Sequence, residues 1–194
     1  MESERQTRKK RIDPLLKGLG WKIVPFNPGR PLGFYENCAI EEFPTDHGPA
    51  DYALCVHGRI VSVVEAKKLT LGPQNVLTQA QRYSRGLSGG PYNFDGHYVP
   101  FLYSTNGEVI WFQDVRHSLS RSRQIHQFHT PAALKEMLER NFQDCCDWFQ
   151  SNANTHPRLR PYQIEANNEI ENAIAERKRK MLVAMATEQA RLSR

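Results

Sequence analysis

The sequence predicts an α/β fold in which helices flank a central sheet. Three observations carry this. Two β-branched runs, 50–56 and 60–66, are joined by a short glycine-containing turn. A second pair of apolar runs, 97–104 and 108–113, brackets Thr105-Asn106-Gly107, and Asn-Gly between apolar runs is a strong hairpin signal. Around these pairs, residues 3–18, 74–87 and 131–149 repeat their apolar positions at helical spacing. At 194 residues the chain is long enough for one well-buried domain and a short extension.

Taken in order, a helix over 3–18 places Ile12, Leu15, Leu16 and Leu19 on one apolar stripe and ends at Gly18 or Gly20. Pro14 would kink it or mark a new first turn. In the first hairpin the turn is His57-Gly58-Arg59. With Gly58 at its centre, Asp51 lies across from Glu65, and a one-residue change in the loop moves the pairing by one position. Strand alternation puts Glu65 and Lys67 on one face, which Asp51 joins in the centred register.

Gly72-Pro73 breaks the chain before the helix over 74–87, where Val76, Leu77, Ala80, Tyr83, Ser84 and Leu87 recur at helical spacing. Gln79 and Tyr83, four apart, share a face of that helix. Pro100 marks an edge or the beginning of its strand. Thr130-Pro131 gives a cap and a first-position proline to a helix that can bury Leu134, Met137, Leu138, Phe142, Cys145, Trp148 and Phe149. Residues 151–158 are polar and turn-rich, as a linker is. They divide a domain over 1–150 from an extension over 159–194. That extension holds a helix carrying Ala166, Ile170, Ala173 and Ile174, a basic run over 177–180 and an apolar, strand-like run over 181–187.

The first hairpin carries chemistry. Two carboxylates meeting on an apolar sheet are costly unless a cation compensates them. Oxygen ligands of this kind suit Mg²⁺ or Mn²⁺. Such an ion polarises a phosphate and acidifies a water. Lys67 would hold or activate the attacking water, or offset charge developing on the phosphate. The plainer alternative is that Asp51 caps a strand and Glu65 and Lys67 form an exposed ion pair.

Pro49-Ala50-Asp51-Tyr52, Val64-Glu65-Ala66-Lys67-Lys68 and Gln79-Ala80-Gln81-Arg82-Tyr83, in that order, resemble the PD-(D/E)xK nuclease superfamily. Within it they look most like the amino-terminal nuclease domain of type I restriction enzyme motor (R) subunits. The resemblance extends to Ile12-Asp13-Pro14-Leu15-Leu16 with Leu19-Gly20-Trp21, and to the Thr-Asn-Gly hairpin. It implies a restriction-endonuclease-like mixed sheet flanked by helices and Mg²⁺-dependent hydrolysis of double-stranded DNA. By the same resemblance Asp51 and Glu65 bind metal, Lys67 is the catalytic lysine, and Gln79 with Tyr83 supports the site or contacts the DNA backbone. Many members carry an acidic residue on the first helix near the metal. Glu4 is the nearest candidate here and Glu2 the other, and both also fit solvated positions. The family's partners would be modification and specificity subunits of a restriction complex. A catalytically silent DNA-binding or docking module and a RecB-like repair nuclease are the alternatives.

Arg160-Pro161-Tyr162-Gln163 and the apolar 181–187 run resemble the entry into the superfamily 2 helicase motor of these subunits. The glycine-rich phosphate loop that would follow is absent, since the chain reads Thr187-Glu188-Gln189-Ala190-Arg191. Without its backbone donors and lysine no ATP site is expected on this chain. The expectation for 159–194 is a severed start of a motor, without an ordered place beyond about residue 175.

A net charge of +5 and a pI near 9.1 favour a polyanionic partner. Five of the residues in 5–11 are basic, and the 177–180 run adds to the excess. Cys38, Cys55, Cys145 and Cys146 lack paired metal spacing, which suits a reduced, cytoplasmic chain. His126 and His129 have no companion ligands that would make a zinc site. No apolar run is long enough to span a bilayer.

Overall fold

The computed structural model describes residues 3–67, 77–87, 89–117, 120–140, 142–152, 154, 156–178 and 180–184. Outside them lie Glu2, the Gly72-Pro73 breaker with the predicted first turn of the second helix, Lys68, and residues 185–194. The chain forms two compact units, Met1–Leu138 and Glu139–Arg194. The segment over 142–151, expected to close the first domain, groups with the second unit.

A seven-stranded mixed sheet, ordered β1 to β7 as in the sequence, forms the first unit. Its strands are β1 (Lys22–Pro25), β2 (Cys38–Phe43), β3 (Ala50–Val56), β4 (Arg59–Ala66), β5 (Phe101–Thr105), β6 (Ile110–Asp114) and β7 (Arg123–Ile125). The β1–β2 and β4–β5 pairs are parallel and the remainder antiparallel. Strands β1, β2 and β7 have no counterpart in the sequence reading. On β3 and β4 nearly every residue is buried, because helices cover both faces; this is why they read as continuous apolar runs rather than alternating ones.

One face packs Tyr52, Leu54, Val64 and Tyr103 against Ile12 and Leu16 of the amino-terminal helix and Leu134 of α4 (Pro131–Glu139). The other packs Ala53, Val63 and Leu102 against Leu77 and Ala80 of α3 (Leu77–Arg85). Leu15, expected on the buried stripe, is 38% exposed. The reason is a change of helical pitch. The amino-terminal helix runs as α1 (Glu4–Thr7), a π-helical turn (Arg8–Ile12) and α2 (Asp13–Gly18). Pro14 has no N–H and its ring clashes with the preceding turn of an α-helix. The wider π turn just before it, with the Asp13 N–H bonded to the Arg8 carbonyl, absorbs that misfit and turns Arg8 inward. At its start a capping box links Ser3 and Gln6.

The first hairpin reaches the expected pairing by another route. Val56 pairs with Arg59, so the turn is the two residues His57-Gly58, both at positive φ (46° and 75°). That register would set Asp51 one position off Glu65. A bulge on β4 restores it: Cys55 faces Ile60 but Leu54 faces Ser62, leaving Val61 as the extra residue. Beyond the bulge Tyr52 pairs with Val64, and the next position brings Asp51 opposite Glu65.

The second hairpin is wider than the Asn-Gly signal suggested, since Thr105 pairs with Ile110. Asn106 Oδ1 accepts from the Glu108 and Val109 N–H groups, and Thr105 Oγ1 accepts from Gly107 N–H. Pro100 stands just before β5, an inner strand.

In the second unit, α5 (Phe142–Ser151) packs on α6 (Pro161–Ala175). The single long helix expected after Pro131 is therefore two. Cys146 is the buried residue of α5, whereas Cys145 is exposed and Trp148 is 60% exposed. Residues 181–184 form no strand, and Leu182 is 93% exposed. An isolated strand has no ladder to join, so the apolar run alone does not make one.

Candidate active site

The residues singled out by spacing meet at one end of the β3–β4 hairpin, on the face covered by α3. Asp51 is the second residue of β3, Glu65 stands near the end of β4, and Lys67 follows it on the same face. Lys67 Nζ lies 2.6 Å from Glu65 Oε1. It also donates to Gln79 Oε1 at 2.7 Å, and Gln79 Nε2 donates to the Tyr83 hydroxyl at 2.9 Å. The four-residue spacing on α3 thus becomes a chain of hydrogen bonds that runs from Tyr83 through Gln79 to the lysine.

The ion pair is not exposed: Glu65 is 3% accessible and Lys67 14%. Burial, and then the charge of Asp51, push the Glu65 carboxyl up to about 7, with Lys67 pulling the other way. Asp51 is also raised by burial, although the Ala66 N–H and Arg8 oppose the shift. For Lys67, burial works against the charge, but Glu65 outweighs it and the pKa is raised. Glu4, half-buried on α1, lies close enough for its charge to raise both Glu65 and Lys67. Glu2 lies outside the described residues.

Asp51 is fully engaged. Its Oδ2 accepts from the Ala66 N–H at 2.7 Å, and its Oδ1 accepts from Arg8 at 2.9 Å. Arg8 also reaches Glu42 and, at 3.4 Å, Glu41, and its guanidinium stands 5.1 Å from the centre of the Tyr52 ring. Glu41 pairs with Tyr52 and Phe43 with Ala50, which brackets Glu42 beside Asp51 on the neighbouring strand. Glu42, Asp51 and Glu65 therefore line up across β2, β3 and β4. Beneath them Lys9 bridges Glu41 and Asp13, and the Tyr52 hydroxyl donates to Asp13 at 2.6 Å. None of Arg8, Glu41 or Glu42 stood out in the sequence, and Asp13 did so only within the Ile12–Leu16 stretch that carries the resemblance. Arg8 sat unremarked in a basic run, and only the strand register could find Glu42.

The donor set fits a small hard cation. Among the described residues no three His, Cys, Asp or Glu side chains form a metal cluster. Mg²⁺ does not require one, because it keeps several waters and is commonly held by one or two carboxylates. The telling atom is Glu65 Oε2, which is buried without a hydrogen-bond partner among the described residues. A buried carboxylate oxygen left bare is costly, and a cation at that point would satisfy it. Ser104, paired with Glu65 across β4 and β5, has a buried hydroxyl that likewise lacks a hydrogen-bond partner among the described residues.

Two of the histidines, His97 and His129, take structural places. His129 Nδ1 bonds the buried Tyr103 hydroxyl at 2.6 Å, and His97 Nδ1 bonds Ser84 at the same distance. The four cysteines are free thiols.

The family profile of the type I restriction enzyme EcoKI endonuclease subunit second domain matches residues 30–138, more than half of the chain and all of the site except its amino-terminal helix. This chain belongs to that family. It is 30% identical over 225 aligned residues to the type I restriction enzyme EcoKI endonuclease subunit of Escherichia coli strain K12. That alignment covers 91% of this chain and 19% of the relative, so the chain spans about a fifth of that protein's length. Among solved structures it resembles a fragment assigned as the HsdR subunit of a type I restriction enzyme from Vibrio vulnificus YJ016. The TM-score is 0.51 at 22% identity, over 98% of this chain and 36% of the other. This likeness supports the nuclease-like α/β fold. Among the described residues no helix is long and apolar enough to cross a membrane.

Proposed function

We propose that the first unit is the metal-dependent endonuclease domain of a type I restriction enzyme R subunit and hydrolyses phosphodiester bonds of double-stranded DNA. The observation that carries this is the bare, buried Glu65 Oε2 between Asp51 and a lysine that is itself held by Gln79. Asp51 and Glu65 would hold Mg²⁺, or Mn²⁺ in its place. When bound, the ion would supply Lewis-acid stabilisation of the phosphate and an acidified water.

The chain's own residues do the remaining work. Lys67 presents a cation to the developing negative charge, and its ordered ammonium costs no reorganisation in the transition state. Gln79 accepts from that ammonium and so fixes its direction, while Tyr83 is the acceptor that orients the Gln79 amide. The basic surface would serve the DNA backbone. Sequence recognition, methylation and translocation would belong to modification and specificity subunits and to a complete motor.

The test is plasmid nicking by a complex reconstituted with a complete motor carrying this domain. Lys67→Ala should fold and bind DNA as the parent does while losing Mg²⁺-dependent strand cleavage. A substituted complex that cuts at the parental rate would overturn the assignment. Mn²⁺ titration by calorimetry should show binding that disappears in Asp51→Ala, and unchanged binding there would put the ion elsewhere.

A further inference from the structure

We infer that Arg8 is a built-in competitor of the divalent ion: its guanidinium holds Asp51 in a closed arrangement, and metal loading requires it to yield. The inference rests on the metal-site reading above. Its basis is which oxygens are taken and by what. Of the two carboxylates proposed to hold metal, Glu65 keeps one oxygen bare and nine-tenths or more buried, while both oxygens of Asp51 already have donors. One donor is the Ala66 backbone, which carries no net charge. The other is a full cation only 9% exposed.

Arg8 is held there on several sides. It bonds Asp51, Glu42 and Glu41, lies over the Tyr52 ring, and springs from the π turn that Pro14 enforces. A guanidinium presents several donors in a planar fork, which suits it to bridging carboxylates on adjacent strands. The same fit makes it an obstacle to a dication. It occupies Asp51 Oδ1, and its charge repels a second positive centre sharing that carboxylate. It also ties up Glu42, a further carboxylate aligned with Asp51 and Glu65. Removing the arginine would free an oxygen ligand, remove a repulsive charge and leave the acidic row uncompensated. All three changes favour a divalent ion.

The experiment is Mn²⁺ titration of the whole 194-residue chain by calorimetry, comparing the parent with Arg8→Gln, Arg8→Lys and Asp51→Ala. Arg8→Gln should bind Mn²⁺ about tenfold more tightly or better, the order expected when one like charge is removed beside a partly buried site. Arg8→Lys keeps the cation and should stay within about threefold of the parent. Should Arg8→Gln not fold alone, Mn²⁺ below the parental Kd should refold it, since the ion takes the guanidinium's place. Unchanged or weaker binding in Arg8→Gln would overturn the inference. So would Arg8→Lys binding as tightly as Arg8→Gln, or a Gln variant left unfolded by Mn²⁺ above the parental Kd. Failure of the metal site itself is separate, because it would show as parental binding that Asp51→Ala does not abolish.

Discussion

Glu65→Gln should make the metal-free protein more stable at pH 8 and leave it nearly unchanged at pH 5. Burial and the Asp51 charge lift this carboxyl from its ordinary 4.5 to about 7. The native state therefore holds the proton more tightly than the unfolded chain does. Linkage then requires stability to fall as pH rises from the unfolded value through the folded one, here between about 4.5 and 7. At about 1.4 kcal/mol per tenfold change in acidity, the ionised native state is disfavoured by at most roughly 3 kcal/mol. Glutamine cannot ionise, so it removes that cost, and the attraction of Lys67 for the carboxylate 2.6 Å away is already contained in the shift. The net gain at pH 8 should be about 2–3 kcal/mol. The assay is urea denaturation with chelator between pH 5 and 8.5, read as the difference between the two curves so that the distant His97 and His129 cancel. Saturating Mn²⁺ should reverse the order, because the ion stabilises only a protein that still offers the carboxylate. Parallel pH curves for the two proteins would refute the reasoning, since they would mean that Glu65 ionises as freely in the native state as in the unfolded chain.

Other substitutions test separate parts of the argument. Gln79→Ala removes the neutral acceptor of Lys67 while the Glu65 ion pair remains; nicking by the reconstituted complex should fall about tenfold, with DNA affinity and melting temperature nearly unchanged. Tyr103→Phe deletes the buried bond to His129 and should cost about 1–3 kcal/mol in denaturant titration, with no change in Mn²⁺ binding. Gly58→Ala should cost about 1–3 kcal/mol, because φ is +75° there and a Cβ would stand 2.8 Å from the Gly33 Cα, a backbone atom that cannot swing aside. Melting of that variant close to the parental temperature would place the hairpin turn elsewhere.

The local chemistry of this protein is written in its sequence. Asp51, Glu65 and Lys67 lie on one hairpin, and Gln79 and Tyr83 are one turn apart on a helix. Their facing is set by strand and helix periods that operate over a few residues. The Asn106-Gly107 turn and the Thr130-Pro131 helix start were legible for the same reason. What the tertiary structure decided involves residues far apart in the chain or exceptions to the regular periods. The Asp51–Glu65 pairing was expected from a turn centred on Gly58, yet it arises from a tighter turn corrected by the Val61 bulge, and no composition signal marks a bulge within a uniformly apolar strand. Strands β1 and β7 are short, and these two and β2 draw their stability from neighbours in the sheet, which a local reading does not see. Arg8 illustrates the limit most clearly. In sequence it is one of several basic residues in a run; its role depends on a π turn that rotates it inward, on a strand register that aligns Glu42 with Asp51, and on its burial beside them, where its guanidinium takes up Asp51 Oδ1.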